Sequence, residues 1–187
     1  MQAGHAIHVL EMDGSTRTAV EAAAQAGCAV DQIAKSIVFK AVKSGAICVF
    51  ITPGGRQVDM ALAAQVAGEA LARADGKEVR NATGFAIGGV SPVGHLTPPH
   101  VFFDPALLAF DTVWAAAGTP RHIFEIAPAD LATVAQARMA AFTCCAVKRV
   151  PQNRQAAPGI PLDRASAQSC AGPGNAPKAT GRRSLFR

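Results

Sequence analysis

Gly88-Gly89-Val90-Ser91-Pro92-Val93-Gly94-His95 is the stretch that most narrows what this chain can fold into. Three glycines and a proline in eight positions do not continue as a regular strand. Glycine admits positive φ and close backbone approach, and proline removes a ladder donor. The residues just before it, Ala82-Thr83-Gly84-Phe85-Ala86-Ile87, end in an apolar run that is predicted as a short strand over 85–87. A strand feeding a loop whose amides are unshielded by side chains suits the gripping of a small polar group. A turn that merely redirects the chain has the same composition, so the loop takes its meaning from its company.

That company is a regular alternation of elements. An apolar run over 6–11 suits an edge strand. Ser15 or Thr16 is the predicted cap of a helix over 17–26, closed by Gly27 in the left-handed conformation. Segments 37–42 and 46–52 flank Lys43-Ser44-Gly45 as a hairpin, and Pro53-Gly54-Gly55 breaks its second strand. Asp59 caps a helix predicted to reach Arg73, with Leu62, Val66 and Ala70 on one stripe. A helical turn over 78–83 stops at Gly84, and 101–103 is extended before Asp104-Pro105. Segments 112–117 and 122–127 form a second hairpin, and Pro128-Ala129-Asp130 opens a helix to Met139. Hairpins imply antiparallel pairs and the intervening helices imply crossovers. The expected fold is α+β, a mixed, mostly antiparallel curved sheet with packed helices over 1–143.

Charge divides the chain. Residues 147–187 hold eight basic residues against Asp163 alone, whereas 1–146 hold ten basic and twelve acidic residues. The basic balance of the whole therefore belongs to a Pro- and Gly-containing tail over 144–187, predicted to be disordered. A basic tail adds sequence-independent attraction to RNA, and a solvated extension without function has the same composition. No apolar run reaches the roughly 18 residues of a membrane span, and the N-terminus does not look like a secretory signal. The five cysteines lack C-x-x-C spacing and read as reduced thiols of a cytoplasmic protein. His5 and His8 lie three apart, but no cysteine or carboxylate cluster completes a site, so neither metal nor other cofactor is expected.

In Ala34-Lys35-Ser36-Ile37-Val38-Phe39-Lys40, strand alternation puts Lys35 on one face with Ile37 and Phe39, and Lys40 on the other. A lysine at the start of a core-facing row stands between core and cleft. Desolvation there lowers its pKa, while an anion or carbonyl oxygen favours the ammonium. A lysine snorkelling from a strand end fits the same pattern. Lys40 and Lys43 read as solvated hairpin residues, and Arg56 as a solvated loop arginine.

Ile33-Ala34-Lys35-Ser36-Ile37-Val38-Phe39, followed further along by the run from Ala82 to His95, resembles the YbaK/EbsC-type aminoacyl-tRNA editing domains. That family includes the insertion domain of bacterial prolyl-tRNA synthetases and its free-standing relatives. Val113-Trp114-Ala115-Ala116-Ala117-Gly118-Thr119-Pro120 and Ile126-Ala127-Pro128-Ala129-Asp130-Leu131 are similar to the family's closing hairpin and helix, so the likeness spans 15–143. It implies a trans-acting hydrolase that cleaves the ester of a small mischarged amino acid (Ala, Ser, Thr or Cys) on tRNA(Pro) or a related tRNA. The expected partners are the aminoacyl-tRNA 3′ end and an aminoacyl-tRNA synthetase, and no membrane.

By the same resemblance, Lys35 falls on the family's functional lysine and is the expected catalytic residue. Residues 88–92 fall on its G-x-x-x-P loop. Gly88, Gly89, Val90, Ser91 and Pro92, with Thr83, Gly84 and His95, are the expected substrate contacts. The residue types suit that work: a glycine-walled pocket presents backbone donors to the scissile carbonyl, and a lysine adds charge beside the oxyanion. His95 reads either as a contact to the terminal adenosine or to water, or as an ordinary loop histidine. Ser91 lacks the G-x-S-x-G elbow, and Pro92 after it supplies no oxyanion N–H, so water is the expected nucleophile. After Phe142 the chain departs from the family: Thr143-Cys144-Cys145 leads into the basic tail, either an RNA-binding extension or the product of a reading-frame change. Two other functions fit the sequence: a non-catalytic tRNA- or synthetase-binding module of the same fold, and a general esterase that uses Ser91.

Overall fold

One strand organises the interior. β3 (Ile47–Pro53) sends Val49 and Ile51 to one face and Cys48 and Phe50 to the other, and all four are buried. Such a strand needs a cover on each side. In the computed structural model, which describes residues 7–144, both covers are present. On the first face Val49 and Ile51 join Val101 and Phe103 of β6 (His100–Phe103) beneath Leu131 and Ala132 of helix α4 (Pro128–Val134). On the second, Phe50 stacks on Phe102 with centroids 4.8 Å apart and takes the edge of Phe142. Ala63 of helix α2 (Met60–Ala67) closes that cluster.

The main sheet runs β1 (Val9–Glu11), β8 (His122–Ile126), β7 (Val113–Ala116), β2 (Ile33–Ala41), β3, β6, β9 (Arg138–Met139). The β1–β8, β8–β7 and β2–β3 pairs are antiparallel; β7–β2, β3–β6 and β6–β9 are parallel. β5 (Leu71–Arg73) adds antiparallel to the far end of β2, and β4 (Gln57–Val58) pairs with β10 (Thr143–Cys144) as a separate ribbon. The fold is the mixed, largely antiparallel α+β sheet that the element order predicts.

The feature that matters for function is a split along one edge of β2. β3 follows the opposite edge from Ala34 to Lys40. On the split edge, β7 pairs only with Ile33 and Ala34, and β5 only with residues 39–41. Between them, no strand of the described residues pairs with Lys35 to Val38 on this edge. β7 and β5 diverge there and leave a trough.

Local chemistry explains where elements start and stop, and in several places the outcome differs from the prediction. Helix α1 (Ala19–Ala26) is capped by Thr18, not by Ser15 or Thr16, through a reciprocal box with Glu21. Helix α2 ends at Ala67, well before Arg73, because Gly68 takes the left-handed cap and frees the next residues to pair with β2. Helix α4 likewise ends at Val134, and the chain turns at Gln136 to make β9. The predicted strand over 85–87 is absent. Helix α3 (Gly76–Thr83) ends in Gly84, and a tight turn closed by Gly89 N–H donating to Ala86 C=O follows at once. The tail assigned to 144–187 lies, apart from Cys144, outside the described residues, as does His5.

Candidate active site

The split edge of β2 supplies the floor of the site. Lys35, Ser36 and Ile37 line two adjoining hollows, of about 390 and 460 Å³, that meet across the strand. Ile87, Gly88 and Val90 form the shared opposite wall, so Lys35 and the glycine loop face the same space. The first hollow is closed by Thr18 and Ala19 at the start of α1 and by Trp114 and Ala115 of β7. The second is closed by Gln57, Met60 and Arg73.

Lys35 is half-buried. Its ammonium does not point freely into the trough: it donates to the carbonyl of Gly54 at 2.9 Å and to that of Arg56. An ammonium has three donors, so one N–H is left over. Burial pushes the Lys35 pKa down, and the carboxylate of Asp31 opposes that shift.

The glycine loop owes its shape to two close approaches. Gly88 sits at φ +87°, in the left-handed region, with its Cα against Arg17, where an added Cβ would lie 3.4 Å from that side chain. Gly89 packs on the turn of the second hairpin, where a Cβ would come within 2.7 Å of the Thr119 carbonyl carbon. The amides of Gly88 and Val90 form no hydrogen bond among the described residues, whereas that of Gly89 is spent on the turn. Two backbone donors are thus free in the segment that lines the trough.

The other candidate residues stand apart from the trough. Thr83 is buried, its hydroxyl donating to Val79 C=O at 2.7 Å and accepting from Phe85 N–H, so it closes helix α3. Gly84 is the left-handed cap of that helix. Ser91 is buried with its hydroxyl accepting from Val93 N–H at 3.3 Å. None of Thr83, Gly84, Gly89, Ser91, Pro92 or His95 lines either hollow. His95 packs edge-on against Phe85, its Nε2 buried without a partner among the described residues, and burial lowers its pKa while a bond to the Ser91 backbone opposes the shift. Lys40 pairs with Glu78 at 2.7 Å on the surface, and Arg56 reaches the buried Asp104 at 3.8 Å, so Arg56 is not simply solvated.

A tethered ammonium and a segment with two amides unpaired among the described residues thus line one hollow, and groups of these types stabilise negative charge on a bound oxygen. The aminoacyl-tRNA editing domain model matches residues 13–134, most of the described chain and all of the trough. The chain belongs to the aminoacyl-tRNA editing domain family. With membership comes the family's general activity, deacylation of tRNA. The editing domain is similar to YwhH of Bacillus subtilis (strain 168), an uncharacterised protein, at 31% identity over 66% of this chain and 78% of that one. It also resembles the crystal structure of a candidate trans-editing enzyme for prolyl tRNA synthetase, 44% identical, with a TM-score of 0.69 over 73% of this chain and 86% of that one. A third likeness is to the hypothetical protein APE2540, 27% identical, TM-score 0.70, over 75% and 93% of the two chains.

Three contributions to the site escaped the sequence. The carbonyls of Gly54 and Arg56 hold Lys35, and Trp114 and Arg17 wall the first hollow. Pro53-Gly54-Gly55 is legible as a turn, but nothing one-dimensional says that carbonyls in and just after it meet a lysine on the neighbouring strand. Ser36 carries no sequence signal of its own, yet its hydroxyl is buried on the trough floor with no partner among the described residues.

Proposed function

We propose that this editing domain acts in trans to hydrolyse the ester of a small mischarged amino acid, of the Ala, Ser, Thr or Cys type, on tRNA(Pro) or a related tRNA. The observation that carries it is the shared trough, lined by Lys35, whose ammonium is tethered, and by Gly88 and Val90, whose amides are unpaired among the described residues. The relative described as a candidate trans-editing enzyme for prolyl tRNA synthetase, at 44% identity, supports the choice of tRNA and of action in trans. The enzyme works in the cytoplasm, where it meets aminoacyl-tRNA free or on a synthetase.

Water attacks the ester carbonyl, and the charge that develops on its oxygen is met by the third N–H of Lys35 and by the loop amides. The acyl–oxygen bond to the terminal ribose then breaks, the ribose oxygen takes a proton that the water gives up, and free amino acid and intact tRNA leave. No protein nucleophile takes part; Ser91 is buried outside both hollows. A hydrophobic synthetase site rejects a smaller or isosteric amino acid only weakly, which is the physical reason for a second, hydrolytic sieve.

The test is a deacylation screen over Ala-, Ser-, Thr- and Cys-charged tRNAs, with correctly charged Pro-tRNA as control. Turnover of at least one small mischarged residue, with Pro-tRNA spared, is the expected result. Binding without turnover across the panel would favour a non-catalytic tRNA- or synthetase-binding module instead.

A further inference from the structure

A carboxylate two residues ahead of β2 holds the turn that carries the Lys35 acceptors. Asp31 lies in the single turn of 3₁₀ helix Val30–Gln32 that feeds directly into the strand of Lys35. Its Oδ1 accepts from the N–H of Gly55 at 2.9 Å. Gly55 sits between Gly54 and Arg56, whose two carbonyls hold the Lys35 ammonium. The contact leaves no room for a side chain on either glycine. A Cβ on Gly55 would come within 2.4 Å of Asp31 Oδ1, and one on Gly54 within 2.3 Å of the Val30 carbonyl oxygen.

From this geometry we infer that Asp31 is a positioning residue for Lys35: it latches the 53–56 turn to the start of β2 and so aims the single free N–H of the ammonium into the trough. The inference rests on Lys35 being the cation of the hydrolytic site. Four links form a closed ring: Asp31 to Gly55 by a hydrogen bond, Gly55 to its neighbours by peptide bonds, their carbonyls to Lys35, and Lys35 back to Asp31 along the chain. A flexible lysine in a closed ring has few positions open to it, which is what a donor aimed at a developing oxyanion requires. The Asp31 carboxylate also opposes the downward push that burial gives the Lys35 pKa. Of the other charged groups near the ring, the Arg56 guanidinium is paired with Asp104, and Arg17 lies across the first hollow.

Two variants separate latch from charge. Asp31→Asn keeps an acceptor for Gly55 N–H and removes the charge; Asp31→Ala removes both. Asp31 is exposed, so neither change empties the core. In steady-state deacylation, Asp31→Ala should lower kcat tenfold or more with KM changed less than twofold. Asp31→Asn should keep most of kcat near neutral pH, with its alkaline limb moved to lower pH. Protein labelled with ¹⁵N-lysine gives a readout that needs no turnover. The Lys35 ammonium, assigned by its loss in Lys35→Arg, should give a slowly exchanging signal in wild type and Asp31→Asn, and lose it to rapid exchange in Asp31→Ala. Equal kcat and an unchanged Lys35 signal in Asp31→Ala would overturn the latch, as would an Asp31→Asn variant as impaired as Asp31→Ala at neutral pH. If wild type turns over none of the charged tRNAs, the proposed function fails, while the ammonium signal still decides whether the latch exists.

Discussion

The ammonium of Lys35 is held 2.9 Å from the carbonyl oxygen of Gly54, nineteen residues further along the chain. Only the pairing of β2 with β3, in which Lys35 stands opposite Thr52, brings the turn after β3 within reach of it. The consequence is a lysine held in place, with two of its donors already spent.

Replacing Lys35 by Ala should therefore remove catalysis while leaving the fold in place. Loss of one oxyanion donor costs about 100- to 1000-fold in rate, and the drop should fall on kcat. Deacylation kinetics with a parallel thermal melt check this; near-wild-type turnover would remove Lys35 from the mechanism.

The pH profile carries the same information. Burial lowers the Lys35 pKa from its ordinary 10.5, so the ammonium is lost earlier in an alkaline titration than a free lysine would be. After subtraction of spontaneous ester hydrolysis, kcat should fall on the alkaline side before pH 10.5. The residual activity of Lys35→Arg, whose charge persists, should lack that limb.

The two loop glycines should fail differently when changed to Ala. At Gly88 the positive φ imposes about 1 kcal/mol of strain on a residue with a side chain, and the new methyl stands beside the trough, so activity suffers along with modest stability. At Gly89 the methyl meets the Thr119 backbone, which does not yield cheaply, and overpacking of this sort costs about 1–3 kcal/mol. Denaturant melts and kcat for both variants give the comparison.

Ser91→Ala should leave deacylation unchanged. Its hydroxyl is sealed away from the trough and serves one local hydrogen bond, worth about 0.5–1.5 kcal/mol. A variant that folds yet loses activity on simple esters would point to the serine esterase alternative.

His95 should contribute to acid sensitivity. Its folded imidazole resists protonation because it is buried, whereas in the unfolded chain it takes a proton near 6.5. The unfolded state binds more protons in that window, so stability is fully present above pH 6.5 and is lost as pH falls through the lowered folded value. Melting temperatures from pH 7 to 5 should drop less in His95→Gln than in wild type.

Several parts of this protein are legible residue by residue because short-range chemistry determines them. Glycine and proline punctuation locates the hairpin turns, strand alternation puts Lys35 with Ile37 and Phe39, and Asp59 caps its helix through the amides of Ala61 and Leu62. The ends of α2 and α4 are less legible, because short strands 71–73 and 138–139 gain more from pairing with the sheet than from continuing a helix. The segment 85–87 reads as a strand by composition, but it lies between Gly84 and Gly88, both at positive φ, and Ala86 is taken into the turn that the Gly89 N–H closes on its carbonyl.

What the chain determines unaided is therefore the supply of parts: a lysine on a core-facing row, a loop too rich in glycine to be a strand, and the order of elements between them. Tertiary structure alone decided which of those parts meet. Lys35, Gly88 and Val90 share a trough because β7 and β5 peel away from β2 on either side of Lys35, while Thr83, Ser91 and His95, close to the loop in sequence, are turned into its supports. The physical reason is that side-chain type and local periodicity act over a few residues, whereas the opening in the sheet is set by pairings between strands far apart in the chain.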